Sequence, residues 1–253
     1  MADPRALFDL SGRTACVTGA SSGLGRQAAL TLASAGATVV AVARRKEALS
    51  ELVAEIGKKA AYVAADISDR DHIGALADAV SDPFGPPDIL VHAAGVNTRQ
   101  AADDVTEEGW DQTVALNLSA PFFLSQNLVR SMKKKQWGRI VNFASLQTTR
   151  AFPGGIAYGA TKAGIAQLTR AMAEAWGHDG VTANAIGPGF FPTELTQAVF
   201  QDGERAARNA AQTCVGRNGQ LNDLDGPLLF LCSDASAYVT GQVLMVDGGF
   251  TAK

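Results

Sequence analysis

The stretch TACVTGASSGLGRQAALTLASAG, residues 14–36, decides the fold. Its first five residues are β-branched or small and apolar, the composition of a short buried strand. The loop that follows places Gly19, Gly23 and Gly25 ahead of an alanine-rich run of helical spacing that closes on Gly36. A strand that turns through glycines into a helix presents backbone N–H groups at the helix N-terminus, where a pyrophosphate can approach without obstruction by side chains. The spacing, Gly-x-x-x-Gly-x-Gly, departs from the usual Gly-x-Gly-x-x-Gly dinucleotide fingerprint, and a plain strand-to-helix turn also uses glycines. Its place at the carboxyl end of the first strand favours a ligand loop, because that is where open α/β sheets bind.

Outward from this stretch the alternation continues. TVVAVA (38–43), AAYVAA (60–65), DILVHAA (88–94), RIVNFA (139–144), VTANAI (181–186) and QVLMVD (242–247) read as further strands. Residues 46–57, 69–80, 107–135, 157–176 and 224–233 carry helical spacing between them. The fold class expected is α/β, a doubly wound domain over residues 1–253 with about seven parallel strands and helices on both faces. No repeat or linker divides it. The longest irregular region, roughly 187–220, is expected to be a mobile substrate loop.

The balance of 22 basic against 25 acidic residues leaves a net charge of -3 and no nucleic-acid footprint. The one basic run, Lys133 to Lys135, suits the C-terminal end of a helix, where cations meet the dipole favourably. Cys16, Cys214 and Cys232 are odd in number and scattered, and His72, His92 and His178 share no ligand-like spacing with them, so neither a disulfide framework nor a metal site is expected. The start, MADPRALFDLSGR, has no apolar signal core, and no apolar run approaches the roughly 18 residues of a membrane span. The cytoplasm is the default compartment.

Three groups carry the chemistry. In VVAVARRK the second strand ends at Ala43 and is followed by Arg44 and Arg45, where folds that bind NAD usually place an acid for the ribose 2′-OH. A guanidinium forks onto a 2′-phosphate that an acid repels, so NADP(H) is favoured over NAD(H), although arginines also solvate loops. In AYGATK, Tyr158 and Lys162 stand four apart and share one helix face, so that the ammonium is expected to stabilise the phenolate and equip Tyr158 to exchange a proton. Ser145, in RIVNFASLQ, follows the fifth strand at the ligand-binding edge, where a serine otherwise serves a turn or N-cap.

With these motifs together, the chain resembles the short-chain dehydrogenases/reductases over nearly its whole length. TGASSGLG is similar to the family's cofactor loop, DIS at Asp66 to its adenine-side position, HAAG to its NNAG, and LNLSAPF to the segment with its helix asparagine. Ser145 with YGATK resembles its catalytic residues, and GPGFFPT its nicotinamide-side loop. The resemblance implies a Rossmann-like fold and a tetrad of Asn117, Ser145, Tyr158 and Lys162. It implies cofactor contacts from Gly19, Ser21, Ser22, Gly23, Leu24, Gly25, Arg44, Arg45, Asp66, Ile67, Ala94, Gly95, Tyr158, Lys162, Pro188, Gly189, Phe191 and Thr193, with Thr193 near the carboxamide. Ser22 stands where many NADP-preferring members carry a basic residue, which leaves that preference to Arg44 and Arg45. His92 and Ala93 replace the more usual asparagines and put a structural hydrogen bond in question. Pro121, four residues after Asn117, has no N–H, so a helix through both leaves the Asn117 carbonyl free and is expected to kink. In the family that carbonyl holds a water linked to the lysine.

The activity implied is NADP(H)-dependent interconversion of a secondary alcohol and a ketone by hydride transfer, with NAD(H) as an alternative cofactor. Tyr158 would act as general acid/base and Ser145 would hold the substrate oxygen. Val96, Asn97, Leu146, Gln147, Phe152 and Phe190 form the expected substrate pocket, with Arg99 and Arg150 at its rim or simply solvated. The small-molecule substrate is a carbonyl or alcohol, with neither nucleic acid nor membrane as partner, and a homotetramer or homodimer is implied. A dinucleotide-binding sensor without turnover is the alternative of another class. Among enzymes, a sugar or polyol dehydrogenase of gluconate 5-dehydrogenase type, suggested by the opening FDLSGRTA, competes with a 3-oxoacyl thioester reductase. An enoyl reductase fits less well, since that branch commonly spaces its tyrosine and lysine more widely.

Overall fold

The β-branched runs pair side by side in a computed structural model that describes residues 3–253, so the first two residues of the expected domain lie outside the described residues. The strands are β1 (Thr14–Thr18), β2 (Thr38–Ala43), β3 (Ala60–Ala64), β4 (Ile89–His92), β5 (Gly138–Phe143), β6 (Val181–Pro188) and β7 (Val243–Val246). All pair in parallel in the order β3-β2-β1-β4-β5-β6-β7. Cys16 of β1 stands opposite Val40 on one side and Leu90 on the other. The order reverses between β1 and β4, and the crevice outside their carboxyl ends is the switch point at which such sheets take ligands.

The helices are α1 (Gly23–Ser34), α2 (Lys46–Ile56), α3 (Ile73–Ser81), α4 (Glu107–Val114), α5 (Ala120–Lys135), α6 (Ile156–Trp176), α7 (Gln197–Phe200), α8 (Gly203–Gln212) and α9 (Asp225–Cys232). Ala28, Leu32, Leu49, Leu52, Leu228 and Leu231 from α1, α2 and α9 cover one sheet face. Leu76, Val80, Leu124, Met132, Met172 and Trp176 from α3, α5 and α6 cover the other. Burial on both faces explains why β1 and β5 are buried along their whole length rather than alternating between core and solvent. Lys133 to Lys135 do occupy the last turn of α5, which Gln136 closes in a left-handed conformation.

Three expectations change. Helix α3 begins at Ile73 rather than residue 69, because the Asp69 carboxylate accepts the Asp71 N–H in a local turn that precedes it. Residues 107–135 are not one regular helix: Ala115–Ser119 form a π turn in which the Ala120 N–H donates to the Ala115 carbonyl, five residues back. The expected kink is thus taken up by a widened turn, which accommodates Pro121 at the next helical start. The region 187–220 is irregular over only half its length: a short turn at Glu194–Thr196 leads into α7 and α8. The Asp202 carboxylate caps α8 by accepting the Arg205 N–H at 2.9 Å; Ala206, Ala207, Ala210 and Ala211 share one face of it, but no α8 residue is fully buried.

Candidate active site

The glycine loop is dictated by close approach. Gly19 lies at φ +70°, and a Cβ there would meet the Ala94 nitrogen at 2.6 Å; a Cβ on Gly25 would meet the Gly19 carbonyl oxygen at 2.3 Å. Gly23 lies at φ +53° against the Thr193 side chain. The loop therefore folds tightly over the carboxyl ends of β1 and β4, with the N-terminus of α1 opening above it. Ser22 stands at the N-cap position but makes no capping bond.

A cleft of about 730 Å³ runs from Arg44 and Asp66, past this loop, to Ser145, Tyr158 and Phe190. Every residue singled out for cofactor or substrate lines it except Arg150, and of the four catalytic candidates only Asn117 does not. The length of the groove, the glycine cradle and the open helix N-terminus fit a dinucleotide.

At its inner end β5 delivers Ser145 into a tight turn. The Ser145 hydroxyl accepts the Gln147 N–H at 3.1 Å, and its own N–H donates to the Thr148 hydroxyl at 3.2 Å. Tyr158, in the first turn of α6, keeps a partly exposed face toward the cleft. Burial pushes its phenol pKa up, while the Ser145 hydroxyl and the Arg99 guanidinium draw it down. Lys162 is buried at 4% exposure and donates to the Phe143 carbonyl at 2.6 Å, with its ammonium 5.5 Å from the centre of the Tyr158 ring. Burial lowers its pKa to about 8. The Lys162 ammonium, expected beside the phenol, is turned onto the end of β5, and the Arg99 guanidinium is a second cation near the phenol that sequence spacing did not suggest.

Asn117 stands behind the cleft wall, 1% exposed, in the π turn. Its side-chain oxygen accepts the Val96 N–H at 2.9 Å, and its amide donates to the Val96 carbonyl at 2.9 Å and to Thr161 at 3.2 Å. The amide thus clamps the loop after β4 onto α6, while the carbonyl has no donor four residues on, because that residue is Pro121. The hydrogen bond put in question by His92 is supplied by its Nε2 contact with Ser125 at 2.8 Å.

At the outer end Arg44 is 71% exposed, with one nitrogen 3.8 Å from the Asp66 carboxylate. Asp66 accepts the Ser68 hydroxyl at 2.7 Å and the Ser68 N–H at 3.0 Å, and these hold its carboxyl below the usual carboxylate range. Arg45 differs from the expectation of a free guanidinium: it forks onto Glu194 at 2.7 and 2.9 Å.

Several cleft residues had no sequence signal. Arg205 and Asn209, one turn apart on α8, line it because the unannounced helix lies over the opening. Glu194 and Leu195 reach it from the turn after β6. Behind the lining, Phe250 near the C-terminus packs edge-on against Phe190 with ring centres 5.7 Å apart and lies 6.3 Å from Phe152. Arg99, expected at the rim, is fixed there by its backbone: it adopts φ +54°, its N–H donates to the Asn97 side-chain oxygen at 3.0 Å, and its guanidinium donates to the Leu195 carbonyl. Arg150 instead donates to the Lys253 carbonyl at 2.6 Å and does not line the cleft.

The chain belongs to the short-chain dehydrogenase/reductase family of oxidoreductases: a family model described as enoyl-(acyl carrier protein) reductase matches residues 19–251. It is similar to the gluconate 5-dehydrogenase of Gluconobacter oxydans, with 41% identity over 249 residues and 97% of each chain covered. It is similar to the 3-oxoacyl-[acyl-carrier-protein] reductase of Vibrio cholerae, with 36% identity over 242 residues, 96% of this chain and 98% of the relative. Among solved structures, a gluconate 5-dehydrogenase from Burkholderia cenocepacia in complex with NADP and tartrate superposes with a TM-score of 0.94 at 34% identity, over 99% of this chain and 100% of that one. No helix among the described residues is long and apolar enough to cross a membrane.

Proposed function

We propose that the protein is an NADP(H)-dependent dehydrogenase of polyhydroxy acids, interconverting a secondary alcohol and a ketone within residues 1–253 as one catalytic domain. The observation that carries this reading is the convergence of Ser145, Tyr158 and Arg99 at the inner end of a dinucleotide-shaped cleft. When bound, a nicotinamide supplies or accepts the hydride. The remaining work falls to the chain. Gly19, Gly23, Gly25 and the N-terminus of α1, which line the cleft, would hold the pyrophosphate, with Asp66 toward the adenine and Arg44 toward a 2′-phosphate. Ser145 holds the substrate oxygen and Tyr158 exchanges a proton with it, from a phenol that burial keeps protonated at neutral pH. Lys162 would anchor the cofactor ribose, and the Asn117 carbonyl, with no N–H four residues on, would offer a water site on a proton path toward it. An intact arrangement of this kind has no purpose in a sensor without turnover.

Arg99 supplies a cation beside the reacting oxygen for a substrate carboxylate, and Asn97 and Gln147 supply polar groups for hydroxyls. Similarity to gluconate 5-dehydrogenases supports the same class. The triplet Phe152, Phe190 and Phe250 favours a second reading, a 3-oxoacyl thioester reductase, in which an apolar chain lies on those rings. Initial rates with gluconate-type aldonates, their keto acids and 3-oxoacyl thioesters, each with both cofactors, decide between them. Turnover of keto acids alone supports the first reading, and turnover of thioesters alone overturns it. The protein acts in the cytoplasm as a homotetramer or homodimer, an assembly that would cover the exposed Trp110 and Ile156. Light scattering at micromolar concentration tests the assembly; an active 26.3 kDa monomer rules it out.

A further inference from the structure

The outer end of the cleft holds a carboxylate where a cofactor phosphate is expected. Arg45 donates to the Ser21 hydroxyl from Nε at 3.2 Å and from Nη2 at 3.0 Å, and to the Ser22 hydroxyl at 2.8 Å. Its remaining reach is taken by Glu194, which accepts from Nη1 at 2.7 Å and Nη2 at 2.9 Å. The Ser22 hydroxyl donates to the same carboxylate at 3.0 Å. Glu194 thus spans from the turn after β6 to the glycine loop and saturates the edge of the guanidinium that suits a bidentate anion. Arg45 foremost holds the Glu194 carboxyl below its usual range, so it is an anion at neutral pH.

We infer that Glu194 is a cofactor-discriminating residue, competing with the 2′-phosphate of NADP(H) for Arg45 and thereby moderating the preference over NAD(H). A dinucleotide with a 2′-phosphate must displace this carboxylate or bind beside it against like-charge repulsion, whereas one with a 2′-hydroxyl leaves the pair intact. Removing the charge should leave Arg45 oriented, because Ser21 and Ser22 still hold it to the loop. Arg44, whose nearest carboxylate stands 3.8 Å away, is then the cation that carries the native preference, and Arg45 is held in reserve.

The inference rests on the dinucleotide reading of the cleft, and the test separates the two. Dissociation constants for NADPH and NADH are measured by fluorescence on the whole protein and on Glu194→Gln, with thermal melting to verify folding. The expected result is NADPH affinity raised about threefold or more and NADH affinity moved by less than about twofold, the scale of an exposed charged pair. Glu194→Ala should repeat this pattern, with NADPH affinity raised and NADH affinity nearly unmoved, and supplies the reading if the first variant does not fold. An unchanged NADPH-to-NADH ratio, a weakened NADPH affinity or an equal tightening of both cofactors overturns the inference while leaving the cofactor site standing. Binding of neither cofactor to the native protein overturns the dinucleotide reading itself.

Discussion

At the inner end of the cleft Lys162 and Ser145 are held by main-chain partners, the Phe143 carbonyl and the Gln147 N–H; at the outer end Arg45 is held by three side chains. The inner groups are largely withdrawn from water and the outer ones stand half in it. Main-chain partners come with β5 and the turn that follows it and cannot be exchanged without unmaking them, so the reacting groups keep one geometry. Side-chain partners can be traded singly. The chemistry is therefore costly to alter, and cofactor choice is cheap to alter.

The largest effect should come from the inner end. Tyr158→Phe removes only the hydroxyl, and turnover should fall by about two to four orders of magnitude, the usual worth of general acid catalysis. Cofactor affinity should stay within about twofold, measured by NADPH fluorescence, since the outer contacts are untouched. Near-normal reduction of a good substrate would take Tyr158 out of the mechanism and the comparison with it.

Next in size is the pH response of Lys162. Burial raises the Tyr158 pKa and lowers that of Lys162 to about 8, so the first group to lose its proton on the alkaline side is Lys162. With its cation in use, reduction should decline about tenfold per pH unit above pH 8, and Lys162→Arg should move that limb upward in whatever activity remains. Stability has the opposite sign. A lysine whose folded pKa lies below its unfolded value of 10.5 opposes folding in full below about pH 8, and the opposition fades as pH rises from 8 to 10.5. Lys162→Met should therefore raise the melting temperature at pH 7, and a lowered one would show the Phe143 contact to outweigh the buried charge.

At the outer end the effects should be smaller. Arg44→Ala is expected to reduce the NADPH-over-NADH preference about fivefold to tenfold, less than a buried charged hydrogen bond would give because the side chain is mostly exposed. Unchanged discrimination would shift the role to Arg45 and weaken the reading of Glu194 as its competitor. Ratios of kcat/KM for the two cofactors measure it.

How far the sequence led follows the same division. The sheet was legible because β1 through β7 are short β-branched or alanine-rich runs cut by turns, and the glycine loop because close approach leaves only glycine at Gly19 and Gly25. Ser145, Tyr158 and Lys162 were legible as residue types at a fixed place on strand and helix. The direction of the Lys162 ammonium was not, since an i, i+4 spacing brings two side chains to one face without saying which neighbour the longer one will choose. The pairing of Arg45 with Glu194 joins positions 149 residues apart across a turn with no apolar signature. Helix α8 escaped although Ala206, Ala207, Ala210 and Ala211 share one face, because a stripe of alanine methyls alone is small apolar surface beside its charged face.

The smallest effect concerns salt. Arg44 and Arg45 are matched by Asp66 and Glu194, so the four charges around the expected 2′-phosphate site cancel. An arriving phosphate then feels little long-range attraction, and its affinity rests on contacts made after arrival. The native NADPH dissociation constant should rise by only about twofold to threefold between 0.05 and 0.5 M sodium chloride, because screening removes mainly the field beyond a Debye length. Glu194→Gln leaves one unbalanced cation at the site, so its NADPH affinity should depend on salt more steeply while NADH affinity in both proteins stays nearly flat. Equal salt slopes for NADPH in the native protein and the variant would mean that Glu194 does not offset Arg45 in solution, and the outer end would then be no more adjustable than the inner one.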